Sequence, residues 1–146
     1  MKIVITGASG YLGGRLIHYF AQNYSHEVIA ASRQSLTYKP PIKSSQINWH
    51  NSDSILALCD EADIIIHLAS KNEPESEADY QSALLENGLS SLKLMEAAEN
   101  TNVSRFIYMS SIKVFGAHQS GSLDENTLAH PQSSYGITHK LVEDYL

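Results

Sequence analysis

Apolar residues run together near the start of the chain as Ile3-Val4-Ile5, stop at a glycine, and then recur at Leu12, Leu16, Ile17 and Phe20. The run predicts a strand over Lys2 to Thr6. The recurrence predicts a helix, because side chains three and four apart share one helix face. The same reading places a second strand at Val28 to Ser32 and a surface loop at residues 34–45 around Pro40-Pro41. A third strand is expected at Ile47 to Trp49, followed by a short helix carrying Ile55, Leu56 and Leu58 that Asn51, Ser52 or Asp53 can cap. Ile64-Ile65-Ile66 is apolar on both faces and belongs in the middle of a sheet. Residues 71–79, KNEPESEAD, read as an acidic loop. A long helix then runs from Tyr80 to Asn100 with Leu84, Leu85, Leu89, Leu92, Met95 and Ala98 as its apolar face. Phe106 to Ser110 is a fifth strand, residues 116–133 a polar loop, and a last helix starts near Ser134. Strands alternating with helices predict an α/β fold. We expect a doubly wound parallel sheet of about five strands in spatial order 3-2-1-4-5, with right-handed crossovers and helices on both faces.

Length and composition fit this picture. The 146 residues are 42% hydrophobic and 18% charged, enough for one domain with an ordinary core. No apolar run approaches the ~20 residues that cross a bilayer. The first apolar run ends in a glycine turn without a small-residue cleavage site, so the expected compartment is the cytoplasm. The single Cys59 has no disulfide partner in the chain and reads as a packed helix residue. A net charge of −6 argues against nucleic acid as a partner. The charge is uneven: residues 1–43 hold Lys2, Arg15, Arg33, Lys39 and Lys43 against Glu27 alone, so an anionic ligand is better placed near the first part. The histidines show no metal-ligand spacing, and no metal site is expected; His67, on an apolar strand, reads as a satisfied core histidine.

The most informative string is Thr6-Gly7-Ala8-Ser9-Gly10-Tyr11-Leu12-Gly13, between the first strand and the first helix. Gly7 permits a tight turn, Gly10 lets backbone approach a pyrophosphate, and Gly13 lets helix pack close on strand. The helix N-terminus supplies free N–H groups and partial positive charge. In its β-α-β context the string predicts dinucleotide binding. Where a carboxylate after the second strand would hold an NAD ribose, this chain has Ser32-Arg33, and a guanidinium can pair with a 2′-phosphate. NADP is therefore expected over NAD.

These residues resemble the extended short-chain dehydrogenase/reductase superfamily of nucleotide-sugar epimerases, dehydratases and ketoreductases. The glycine string resembles its TGxxGxxG. Residues 63–69, DIIIHLA, resemble its fourth strand, whose end lies against the cofactor and places Leu68, Ala69 and Ser70 there. Asn87 falls where the long helix of the family carries an asparagine. Residues 106–116, FIYMSSIKVFG, resemble the fifth strand and the loop with the catalytic serine, which maps to Ser111. Tyr135-Gly136-Ile137-Thr138 resembles the start of the Tyr-x-x-x-Lys helix, but the fourth residue on is His139. Lys140, one place later, is turned about 100° around the helix and does not substitute simply. The resemblance implies hydride transfer between a dinucleotide and a sugar carbon, with Tyr135 as general acid/base, Ser111 bonding the reacting oxygen and His139 at the lysine's place. On this reading the cofactor is held by Gly7, Ser9, Gly10, Tyr11, Leu12, Gly13, Ser32, Arg33, Leu68, Ala69, Ser70, Asn87, Tyr135 and His139.

The alternative is a non-catalytic NADP(H)-binding module, since the lysine is replaced. Residues 1–146 are expected to be a dinucleotide-binding domain without the C-terminal substrate-binding part of the family. The open edge of the fifth strand would then favour self-association, or stabilisation by such a part.

Overall fold

Five strands pair in parallel in the computed structural model, which describes residues 1–116 and 121–146. They are β1 (Lys2–Thr6), β2 (Glu27–Ser32), β3 (Ile42–Gln46), β4 (Ile64–His67) and β5 (Arg105–Tyr108), in the order β3-β2-β1-β4-β5. The expected sheet and strand order are therefore observed. The chain forms two compact units, residues 1–69 with 93–109 and residues 70–92 with 110–146. All five strands lie in the first.

In that unit the pleat sorts the apolar residues onto two faces. Val4 stands between Ile29 and Ile65 in the register, and Ile5 between Ala30 and Ile66. Val4, Ile29 and Ile65 pack with Ile55, Leu58 and Cys59 of α2 (Ser52–Asp60) and with Leu94 and Ala98 of α5 (Ser90–Glu99). Ile3, Ile5, Val28, Ala30 and Ile66 pack with Ile17 of α1 (Tyr11–Asn23). Each Val, Ile or Leu side chain among these, when fully buried, stabilises the fold by about 1.5–3 kcal/mol. A strand apolar throughout thus needs helices on both faces, which is the architecture found. Of the three candidate caps, Asn51 caps α2: its Oδ1 accepts from Asp53 N at 2.8 Å and Ser54 N at 3.2 Å.

Two strands depart from expectation by two residues or more at a boundary. The third strand lies at Ile42–Gln46, almost wholly inside the segment read as loop, and not at Ile47 to Trp49. Among the described residues it is an edge strand paired only with β2, so backbone bonding defines it while its side chains are mostly polar. Ile47, just past its end, is buried in the core. β5 ends at Tyr108, two residues early, and Met109 N still donates to His67 O at 3.0 Å.

The second unit contains α3 (Glu73–Ala78), α4 (Tyr80–Ala83), a π-helical segment Leu84–Leu89, the first residues of α5, a 3₁₀ turn Ile112–Phe115 and α6 (Ser134–Tyr145). The acidic loop is thus largely helix. Asn72 caps α3 by accepting from Glu75 N at 3.0 Å, a proline stands in the first turn, and Glu73 and Glu75 suit the positive end of the helix. The long helix runs as expected from Tyr80 but is interrupted. The regular period does not hold through the wider π turn: Leu84, Leu85 and Leu89 within it are exposed, while Ala83, Asn87, Gly88, Leu94, Met95 and Ala98 are buried. The polar loop at 116–133 includes residues 117–120, outside the described residues; its described part carries no helix or strand. Among the described residues no helix is long and apolar enough to cross a membrane.

Candidate functional site

In the first unit the glycine turn is shaped for close backbone approach. Gly7 has φ +68°, and a Cβ there would lie 2.9 Å from Ala69 N, so only glycine fits without strain. A Cβ on Gly13 would collide with the Gly7 carbonyl oxygen. Helix α1 opens at Gly10; among the described residues no side chain caps it and no acid stands in its first turn. The leading N–H groups of an α-helix have no intrahelical acceptor; the Gly10 N–H donates to Gly7 O at 2.9 Å, while Ser9, Tyr11 and Leu12 are exposed. Open amides, helix-dipole charge and absence of a competing carboxylate fit the pyrophosphate of a dinucleotide.

Thr6 is a site residue that the sequence pattern does not single out. Its buried Oγ1 accepts from Leu68 N at 3.1 Å and Ala69 N at 3.2 Å, which fixes the backbone beyond β4 beside the turn. With two amides donating to it, the hydroxyl gives its own proton to His67 Nδ1, 2.6 Å away. His67 is then the Nε2–H tautomer and, at 1% exposure, a satisfied core histidine as expected. A hydroxyl closing a strand immediately before Gly7 is the signal that could have found it. Leu68 and Ala69 are half-buried and Ser70 is exposed. At the end of β2, Ser32 is buried and its Oγ accepts from Gln34 N at 3.2 Å. Arg33 is exposed, with its carbonyl accepting from Gln46 Nε2 at 3.1 Å.

The second unit brings together Ser111, Asn87, Tyr135 and His139 through their supporting elements. Ser111 is half-buried and caps the 3₁₀ turn, its Oγ accepting from Lys113 N at 3.2 Å, which leaves its proton to donate. Helix α6 lies directly against that turn, because a Cβ on Gly136 would stand 2.5 Å from Lys113 O. Ser133 caps α6 by accepting from Gly136 N at 3.0 Å, and Glu77 accepts from Tyr135 N at 3.2 Å. Asn87, 1% exposed, has its amide committed within the protein. Its Oδ1 accepts from Lys71 N at 2.6 Å, and its Nδ2 donates to Ser76 Oγ at 3.2 Å and Thr138 Oγ1 at 3.4 Å. Thr138 Oγ1 in turn donates to Tyr135 O at 2.9 Å. Glu73 pairs with Lys113 at 3.0 Å. So α3, read as loop, supplies Glu73, Ser76 and Glu77 to the elements that carry Ser111, Asn87 and Tyr135.

His139 is 2% exposed and its ring meets that of half-buried Tyr135 edge-on, with centroids 4.3 Å apart. Burial lowers its pKa from 6.5 to about 4, so the imidazole is neutral at pH 7. Lys140 is paired with Asp144 one turn along the helix.

Residues 3–146 match the NAD dependent epimerase/dehydratase family. The chain is 29% identical to D-erythronate dehydrogenase of Haemophilus influenzae, over 99% of this chain and 50% of that protein. It is 28% identical to dTDP-4-dehydrorhamnose reductase of Aggregatibacter actinomycetemcomitans, over 92% and 43%. Among solved structures, MoeE5 in complex with UDP-glucose and NAD superposes with a TM-score of 0.87 at 26% identity, covering 99% of this chain and 47% of that one. The chain spans about half the length of the curated relatives it matches. With the sheet order, the glycine turn and the match over nearly every residue agreeing, the chain belongs to the NAD dependent epimerase/dehydratase family.

Proposed function

We propose that residues 1–146 form the dinucleotide-binding part of an oxidoreductase or epimerase that transfers hydride at a carbon of a nucleotide sugar. The observation that carries this reading is the start of α1, uncapped among the described residues, free of acid and preceded by a turn in which Gly7 has positive φ. Gly7, Ser9, Gly10, Tyr11, Leu12 and Gly13 would hold the pyrophosphate, and Leu68, Ala69 and Ser70 would flank the cofactor beyond β4. Ser32 and Arg33 would receive the adenosine ribose. A bound nicotinamide dinucleotide supplies or accepts the hydride. The chain does the rest: Tyr135 moves the proton of the sugar oxygen, Ser111 orients that oxygen with its free O–H, and Asn87 holds α6 in place through Thr138. The relatives that act on or bind nucleotide sugars support the substrate class. A buried lone thiol fits a reducing compartment such as the cytoplasm.

The matched MoeE5 complex contains NAD. Here no Asp or Glu occurs between Glu27 and Asp53, whereas Arg33, Lys39 and Lys43 do. We therefore favour NADP for this chain. His139 in place of a lysine favours a second reading, a binding module without turnover. Tyr135→Phe separates the two. For the enzyme it is expected to abolish NADPH consumption while dinucleotide affinity by calorimetry is retained; turnover surviving the change would sink the catalytic assignment.

A further inference from the structure

We propose that Tyr38 is a positioning residue of the dinucleotide site: its hydroxyl holds the Ala8 carbonyl inward and so turns the Ser9 N–H outward, toward the pyrophosphate. This rests on the reading of the glycine turn as the pyrophosphate cradle. Ala8 is 2% exposed, and a buried carbonyl needs a donor. Tyr38 Oη, thirty residues further along the chain, donates to it at 3.3 Å. Ala8 N in turn donates to Ala31 O of β2 at 3.2 Å. Both backbone polar groups of Ala8 are thus held within the first unit.

Peptide geometry carries the consequence to the ligand. The Ala8–Ser9 peptide is trans and planar, so its C=O and N–H point in opposite directions. With the carbonyl turned to Tyr38, the Ser9 N–H is turned away from that hydroxyl, and Ser9 is exposed. The next amide, that of Gly10, is spent on Gly7 O, while no acceptor among the described residues takes the Ser9 N–H. An anion seated on the turn therefore meets an N–H at Ser9 and not the lone pairs of Ala8 O.

The ring and the hydroxyl of Tyr38 have separate tasks. The ring packs with Leu36 against the cluster that contains Ile5, Ile17 and Val28, and it meets His18 edge-on with centroids 6.1 Å apart. Removing the hydroxyl alone keeps that packing. Arg33, on the same loop, is anchored without the phenol: its carbonyl accepts from Gln46 Nε2, and the neighbouring Gln34 N donates to Ser32 Oγ. Tyr38 therefore acts on the pyrophosphate end of the site, which NAD and NADP share, and not on the 2′-phosphate end, which distinguishes them.

The test is calorimetry of the parent and of Tyr38→Phe with NAD⁺ and NADP⁺, joined to ¹⁵N–¹H spectra that follow the Ser9 amide. The variant should bind both dinucleotides about two- to tenfold more weakly, by the same factor for each, as the loss of one neutral hydrogen bond allows. In the parent the Ser9 amide proton should move downfield on saturation with NADP⁺, and in the variant it should move less. A lower denaturant midpoint with both affinities unchanged would make the bond merely structural and overturn the proposal. A loss confined to NADP⁺ would make Tyr38 a support of Arg33 and overturn it too. Should the variant fail to fold, the parent still decides, because a Ser9 signal that stays in place on saturation sinks the inference alone. A parent that binds neither dinucleotide defeats the functional reading beneath it.

Discussion

Arg33 stands exposed at the end of β2, where its guanidinium is the first charged group after the strand. A charge-assisted bond to a 2′-phosphate contributes about 1.5–3 kcal/mol, and solvent screening at an exposed site pushes it to the lower end. NADP(H) should therefore bind more tightly than NAD(H), and Arg33→Ala should shrink the difference by about that amount in a calorimetric titration. Equal affinity of the parent for the two would remove this role. The glycine turn is legible in the sequence because Gly7 and Gly13 answer steric demands that only glycine meets. Thr6 is not, because its task depends on two amides more than sixty residues away. The same holds for Asn87. A family position singles it out, but only the fold reveals that its amide is spent on Lys71, Ser76 and Thr138.

At the scale of elements, hydrophobic pattern reports structure where burial is complete and fails where it is not. β1, β2 and β4 are apolar runs because both their faces are covered. β3 is polar because it is an edge, and backbone pairing with β2 leaves no mark in its side chains. The apolar face expected of the long helix drifts because a regular period does not hold through a π turn, of which Leu84, Leu85 and Leu89 give no sign. α3 is hidden by its acidity, although Asn72 and the first-turn proline mark a helix start. β5 offers its own test. It pairs with β4 on one side only, and Ile107 and Met109 are 41% and 47% exposed. Such an edge recruits strands. The 146-residue chain is expected to sediment as species that grow with concentration, and a monomer unchanged across concentration would contradict this.

For the whole molecule, His139 links acidity to stability. Its folded pKa of about 4 lies below the unfolded 6.5, so the unfolded chain binds the extra proton between these values. Stability is full above about pH 6.5, declines as pH falls through that window, and reaches a loss of about 3 kcal/mol near pH 4. Denaturant midpoints measured from pH 7 to pH 4 should fall more steeply for the parent than for His139→Gln. Parallel profiles would show that the ring is not protonated on unfolding.

Both apolar clusters among the described residues belong wholly to the first unit. Beside Ala83, Val114 and Val142, the second unit buries the polar Ser76, Asn87, Ser90, Ser91, Thr138 and His139. Apolar burial is lost all at once and carries the heat-capacity change of unfolding, whereas directional bonds open a few at a time. Amide protons should therefore exchange with solvent sooner from α3, α4 and α6 than from β1 and β4. The segment proposed to handle the substrate's proton is then expected to be the one that breathes, while the sheet that carries the glycine turn stays closed.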